Sequence, residues 1–152
     1  YTLSGSNNRM TELQAIAGLS QLKRLNQFVS HRNAIANIYR EKLEKLVSSN
    51  VISFQEDPPN ITHPYWRFLI KIENERFDRN EIKTKMNKHG ITIDWPYSPL
   101  MHKQPVFKNI FNLSLPKSEL LAERHLCLPI NLLIQNKDAE YISNKFLESI
   151  NN

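Results

Sequence analysis

The 152-residue chain contains one cysteine and three glycines, and each scarcity removes a class of function. A lone Cys127 cannot close an internal disulfide or supply a multi-cysteine zinc or iron–sulfur site, and it fits a reducing compartment, so the cytoplasm is the expected location. Gly5, Gly18 and Gly90 lie too far apart to write a dinucleotide or Walker glycine loop anywhere in the chain. The longest nearly apolar stretch, residues 126–134, holds Pro129 and Asn131 and falls well short of the ~20 residues of a membrane-spanning helix. No charged-then-apolar leader precedes the first helical pattern. A chain beginning at Tyr1 is expected to be a piece of a longer protein.

Metal and nucleophile signatures are equally thin. His31, His63, His89, His102 and His125 form neither an H-E-x-x-H pattern nor a close pair, so no metal site is expected. Cys127, between Leu126 and Leu128, reads as a core thiol. The 20 basic residues exceed the 15 acidic ones but interleave with them. A basic nucleic-acid module, with Lys23-Arg24, Arg40 and Lys42 as its footprint, is therefore the lesser alternative to scattered solvated charge, and no nucleic-acid partner is expected.

What is present is an α+β pattern. Apolar residues from Met10 to Leu46 recur at three- and four-residue steps, predicting two helices over about 11–25 and 27–48 with the change of direction in residues 26–30. Thr11 with Gln14 offers a capping box, and Asn50 a left-handed stop. Period-two patterning predicts a short strand at 51–54, a strand within Tyr65–Ile72 and another at 91–95. A helix over about 79–89 lies between the last two, capped by Asp78 and ended by Gly90, which makes a β-α-β unit in a mixed sheet. The proline-punctuated segment 96–116 is too apolar for a free linker. A short helix over 118–126, an extended break at 128–130 and a terminal helix over 138–150 complete the reading.

The motif with the most information stands at the start. Gly5-Ser6-Asn7-Asn8-Arg9-Met10-Thr11-Glu12-Leu13-Gln14-Ala15 resembles the G-x-N-x-R-M-x-E-L-Q-A signature of the DegT/DnrJ/StrS sugar aminotransferases. Further blocks follow in that family's order: Gly18-Leu19 to Tyr39, His63 ahead of the YWRFLIKI strand, Gly90-Ile91 with Tyr97, His102 with Gln104, and Pro116 through Leu128-Pro129.

The resemblance implies the C-terminal small domain of a fold-type I transferase dependent on pyridoxal phosphate. Its long N-terminal helices would lead into a small mixed or antiparallel sheet with flanking helices. Residues 1–26 would link to the cofactor domain and residues 27–152 would form the small α+β domain. The implied activity is transfer of an amino group, from glutamate, to a keto sugar on a nucleotide carrier in polysaccharide or cell-envelope sugar synthesis. A dehydratase of the same family is the alternative. The cofactor is the electron sink of such chemistry. Because the family's aldimine lysine lies upstream of the G-x-N-x-R-M block, this stretch alone is expected to be inactive and free of cofactor.

By the same resemblance Asn7 and Arg9 are candidates for the cofactor phosphate of a neighbouring subunit, which implies a homodimer. His63, Trp66, Trp95, Tyr97 and His102 are candidates for substrate binding. The sequence departs from the family at Pro96, where many members carry histidine. An interface role for Asn7 would leave Met10, Leu13, Ile16 and Leu19 partly uncovered in the isolated chain, inviting self-association or disorder there.

Overall fold

The computed structural model describes residues 9–107 and 113–151. Helix α1 (Glu12–Leu22) opens with the expected capping box. The Thr11 hydroxyl accepts from the Gln14 amide at 3.3 Å, and the Gln14 side chain accepts from the Thr11 amide at 2.9 Å. Helix α2 (Leu25–Ser48) starts after a break at Lys23–Arg24, not at residues 26–30, which are helical. Its buried residues Ile35, Ala36, Tyr39, Leu43 and Leu46 follow helical spacing along one stripe.

Both α2 and the later helix α3 (Arg79–Asn87) end by the same device. Asn50 and Gly90 adopt positive φ (54° and 72°). Val51 N–H then reaches Leu46 O (2.9 Å) while Asn50 N–H reaches Val47 O. Ile91 N–H reaches Met86 O (3.1 Å) while Gly90 N–H reaches Asn87 O. These are paired reverse bonds that satisfy the last carbonyls of a helix and swing the chain back to the core. At the other end of α3, the Asp78 carboxylate accepts from the amides of Asn80 and Glu81.

Three strands, β1 (Ile52–Phe54), β2 (Phe68–Ile72) and β3 (His125–Leu128), form a sheet in the order β1-β2-β3, with both pairings antiparallel. The expected β-α-β unit is not formed. Residues 91–95 contribute one bridge, Asp94 to Cys127, while Ile91 and Ile93 serve as buried packing residues. The strand pairing with β2 is His125–Leu128, expected as a helix end and an extended break. All four of its residues are buried, so period-two alternation is absent from it. Helix α4 (Pro116–Arg124) precedes it, with Pro116 in the first turn, where a missing N–H costs nothing. Helix α5 (Asn136–Asn151) closes the described chain, with the Asp138 carboxylate capping back onto the Gln135 amide at 2.9 Å.

Helices α2, α3 and α5 bury one face of the sheet, where Phe68, Ile70, Leu126 and Leu128 meet Tyr39, Met86, Ile142 and Phe146. The Tyr39 ring lies 5.0 Å from Phe68, and its hydroxyl donates to Pro129 O at 2.6 Å. The alternate residues of β2, Leu69 and Lys71, face the other way and are partly exposed. Helix α4 packs against β2, and two short 3-10 turns, Met101–Lys103 and Pro105–Phe107, lie in the segment leading to it. Helix α1 buries no side chain, and Leu13, Ile16, Leu19 and Leu22 are 61% to 80% exposed. Among the described residues, no helix is long and apolar enough to cross a membrane.

Candidate functional site

The strand β2 is entered through a turn that sorts its side chains. Tyr65 takes φ of 38° and goes into the core, and the next residue, Trp66, is turned outward and is 59% exposed. His63 shapes that turn: its Nδ1 accepts from the Tyr65 amide at 3.0 Å, and its carbonyl accepts from the Asn33 side chain at 2.8 Å. Opposite Trp66, Tyr97 adopts φ of 64°, a rare conformation for a bulky residue, and is 69% exposed.

Between these rings lies an apolar slot of about 370 Å³. Trp66, Leu69, Pro96, Tyr97, Leu100 and Leu121 are among the residues that line it. Arg67 lines it too and also lines an adjoining, more polar cavity of about 260 Å³ with Thr92, Asp94, Cys127 and Pro129. The Arg67 guanidinium sits 4.7 Å from the Trp66 ring centre, and its Nη1 donates to both carboxylate oxygens of Asp94 at 2.9 and 3.0 Å. Burial, with a smaller push from the Asp94 charge, raises the Cys127 thiol above its ordinary range, so it stays protonated and unreactive at neutral pH.

His102 is not a solvent-facing loop residue. Its side chain is 8% exposed, and Nε2 lies 3.0 Å from Glu119 Oε1. Glu119 also receives Lys103 Nζ at 2.9 Å and the Leu115 amide at 3.0 Å. Those donors, Lys103 first, hold its carboxyl down at about 2. The cluster ties the Met101–Lys103 turn to α4, and so supports Leu100, which lines the slot.

Of the candidate substrate residues, Trp66 and Tyr97 share the slot. Trp95 stands apart, against α3, with Arg79 at 4.3 Å and Lys83 at 4.5 Å from its ring centre. His63 belongs to the turn before β2. Arg9 is exposed ahead of α1, and Asn7 lies outside the described residues. Sequence reasoning missed Arg67, Asp94 and Glu119: each acts through a partner distant in the chain, which no local spacing announces. Among the described residues, neither cavity beside Trp66 has a lysine in its lining, and no three His, Cys, Asp or Glu side chains gather as metal ligands.

Comparison with known proteins gives this geometry a setting. The model of the DegT/DnrJ/EryC1/StrS aminotransferase family matches residues 1–147. GDP-perosamine synthase of Escherichia coli O157:H7 is 28% identical over 151 residues, covering 99% of this chain and 38% of the relative. The dTDP-4-amino-4,6-dideoxy-D-glucose transaminase of Escherichia coli is 27% identical over 132 residues, covering 85% of this chain and 35% of the relative. The crystal structure of a DegT DnrJ EryC1 StrS aminotransferase from Brucella abortus superposes with a TM-score of 0.77 at 26% identity, over 92% of this chain and 36% of that one. The chain thus spans little more than a third of the length of the curated relatives it matches.

Proposed function

This chain belongs to the DegT/DnrJ/EryC1/StrS aminotransferase family, and from that premise we propose that it is the C-terminal small domain of a cytoplasmic aminotransferase dependent on pyridoxal phosphate. Its substrate is a keto sugar on a nucleotide carrier, and its amino donor is glutamate. The observation that carries the reading is the family match over residues 1–147. The structure adds a slot with two outward aromatic rings, Trp66 and Tyr97, over an apolar floor. Such a slot suits a ring with one apolar face, as sugars and bases have.

In this reading the cofactor is held outside the slot beside Trp66. Pyridoxal phosphate is captured by a lysine amine, and neither cavity beside Trp66 offers one. We assign its capture to the remainder of the full-length enzyme. In this reading Asn7 and Arg9 reach the cofactor phosphate across a homodimer interface, residues 1–26 form the link to the cofactor domain, and residues 27–152 carry the substrate wall with Trp66, Tyr97 and, through Glu119, His102.

The test is an assay of the full-length protein with pyridoxal phosphate, glutamate and a nucleotide 4-keto sugar. The expected product, by mass spectrometry, is the amino sugar together with 2-oxoglutarate. A deoxygenated sugar without nitrogen would instead make the protein a dehydratase of the family. A borohydride-stable cofactor adduct on a lysine within residues 1–152 would overturn the division of labour proposed here.

A further inference from the structure

The Trp66 ring stands ahead of β2, which begins at Phe68, so no ladder of backbone bonds steadies it, and more than half of its surface is exposed. An exposed side chain of this kind reorients on the picosecond to nanosecond scale unless something holds it. The Arg67 guanidinium lies over it, 4.7 Å from the ring centre. The guanidinium is itself tethered, because Nη1 donates to both oxygens of Asp94. Asp94 in turn is pinned to the sheet, its carbonyl accepting from the Cys127 amide at 2.8 Å. A continuous relay therefore runs from β3 through Asp94 and Arg67 to the indole.

We infer that Arg67 is a positioning residue, which holds the Trp66 indole as a fixed wall of the apolar slot and is itself braced by Asp94. A partly exposed ion pair contributes little to stability, so its consequence here is geometric. Arginine suits the task and lysine does not: the planar guanidinium lies flat on a ring while donating in its plane, whereas an ammonium is a point charge on a flexible stem. The relay also separates the two cavities, since both Trp66 and Arg67 line each of them. For catalysis the inference rests on the reading that the slot receives substrate.

The experiment is fluorine NMR on the protein labelled with 5-fluorotryptophan, with the Trp66 and Trp95 resonances assigned from Trp66→Phe and Trp95→Phe. In Arg67→Met and in Asp94→Asn the Trp66 resonance is expected to move and to narrow as the ring gains freedom, with Trp95 unmoved in Arg67→Met. Arg67→Lys is expected to behave like Arg67→Met, because charge alone does not hold the plane. A Trp66 resonance unchanged in Arg67→Met overturns the inference. So does a joint shift of Trp66 and Trp95 in Arg67→Met, which would mean that the pair supports the fold at large. Adding dTDP-glucose, GDP-mannose and UDP-N-acetylglucosamine in turn separates the two readings. A Trp66 resonance that responds to the variants but to none of the three nucleotide sugars supports the bracing and removes the substrate role of the slot.

Discussion

His102 Nε2 lies 3.0 Å from Glu119 Oε1, and the second oxygen of the same carboxylate holds Lys103 Nζ at 2.9 Å. Two adjacent residues of one short turn are thus fastened to a single side chain of α4. Because Leu100, the residue before that turn, lines the slot with Leu121 of α4, the carboxylate sets the distance between two of its walls.

Glu119 is therefore expected to resist protonation. Its carboxyl is lowered from the usual 4.5 to about 2 in the fold. A group depressed in this way adds stability in full above its unfolded value and loses it as the pH falls through the folded one, so the window runs from about 4.5 down to about 2. Carbon-detected NMR of the Glu119 carboxyl should give a midpoint far below the ordinary 4.5, and a midpoint near 4.5 would refute the clamp. Glu119→Gln is expected to speed hydrogen exchange in the Met101–Lys103 turn.

Tyr39→Phe removes the donor to Pro129 O and leaves that carbonyl without its bond in the core. The expected loss is about 1–3 kcal/mol in urea denaturation, with the slope against urea unchanged. In the parent protein, burial first and the Asp138 charge second push the Tyr39 phenol well above its ordinary value. Its ionisation in an ultraviolet alkaline titration should come well above the ordinary tyrosine value of about 10.

Cys127 is buried, with its thiol raised by desolvation, so the thiolate that reacts with Ellman's reagent is scarce and shielded. At pH 8 the native protein is expected to react at least about ten-fold more slowly than the urea-unfolded chain. Equal rates would show that the layer of Leu126–Leu128 opens freely.

Helix α1 presents Leu13, Ile16, Leu19 and Leu22 to solvent and buries none of them. A stripe of this size favours association. Sedimentation should show dimerisation that rises with concentration, and Ile16→Glu with Leu19→Glu should abolish it. Because neither side chain is buried among the described residues, the unfolding midpoint at a concentration where the parent is monomeric should change by no more than about 0.5 kcal/mol equivalent. A parent protein that stays monomeric would overturn the assignment of α1 to an interface.

Local chemistry is legible wherever the partners lie within a few residues of each other. The Thr11–Gln14 box, the Asp78 cap and the left-handed stops at Asn50 and Gly90 all follow from hydrogen bonds spanning two to five positions, and the order of the residue types alone announces each of them. Family membership is legible for another reason: blocks from Gly5 to Pro129 keep their order along one chain, and the family match, over residues 1–147, includes them all.

What the tertiary structure decided is long-range. Residues 91–95 and 125–128 both hold residues suited to strands, and only pairing with β2 selects the latter. Leu69 opposes Cys127 in that register, whereas residues 91–95 reach the sheet through Asp94 alone. Trp95 and Tyr97, two apart in sequence, part company because Arg79 and Lys83 cover the first ring while the second turns at positive φ toward Trp66. Arg67 finds its acceptor 27 residues away at Asp94. Such pairings depend on where the folded sheet brings two distant segments together, so sequence alone determined the caps at Thr11 and Asp78, the stops at Asn50 and Gly90 and the family, and the assembled core determined the third strand and the slot.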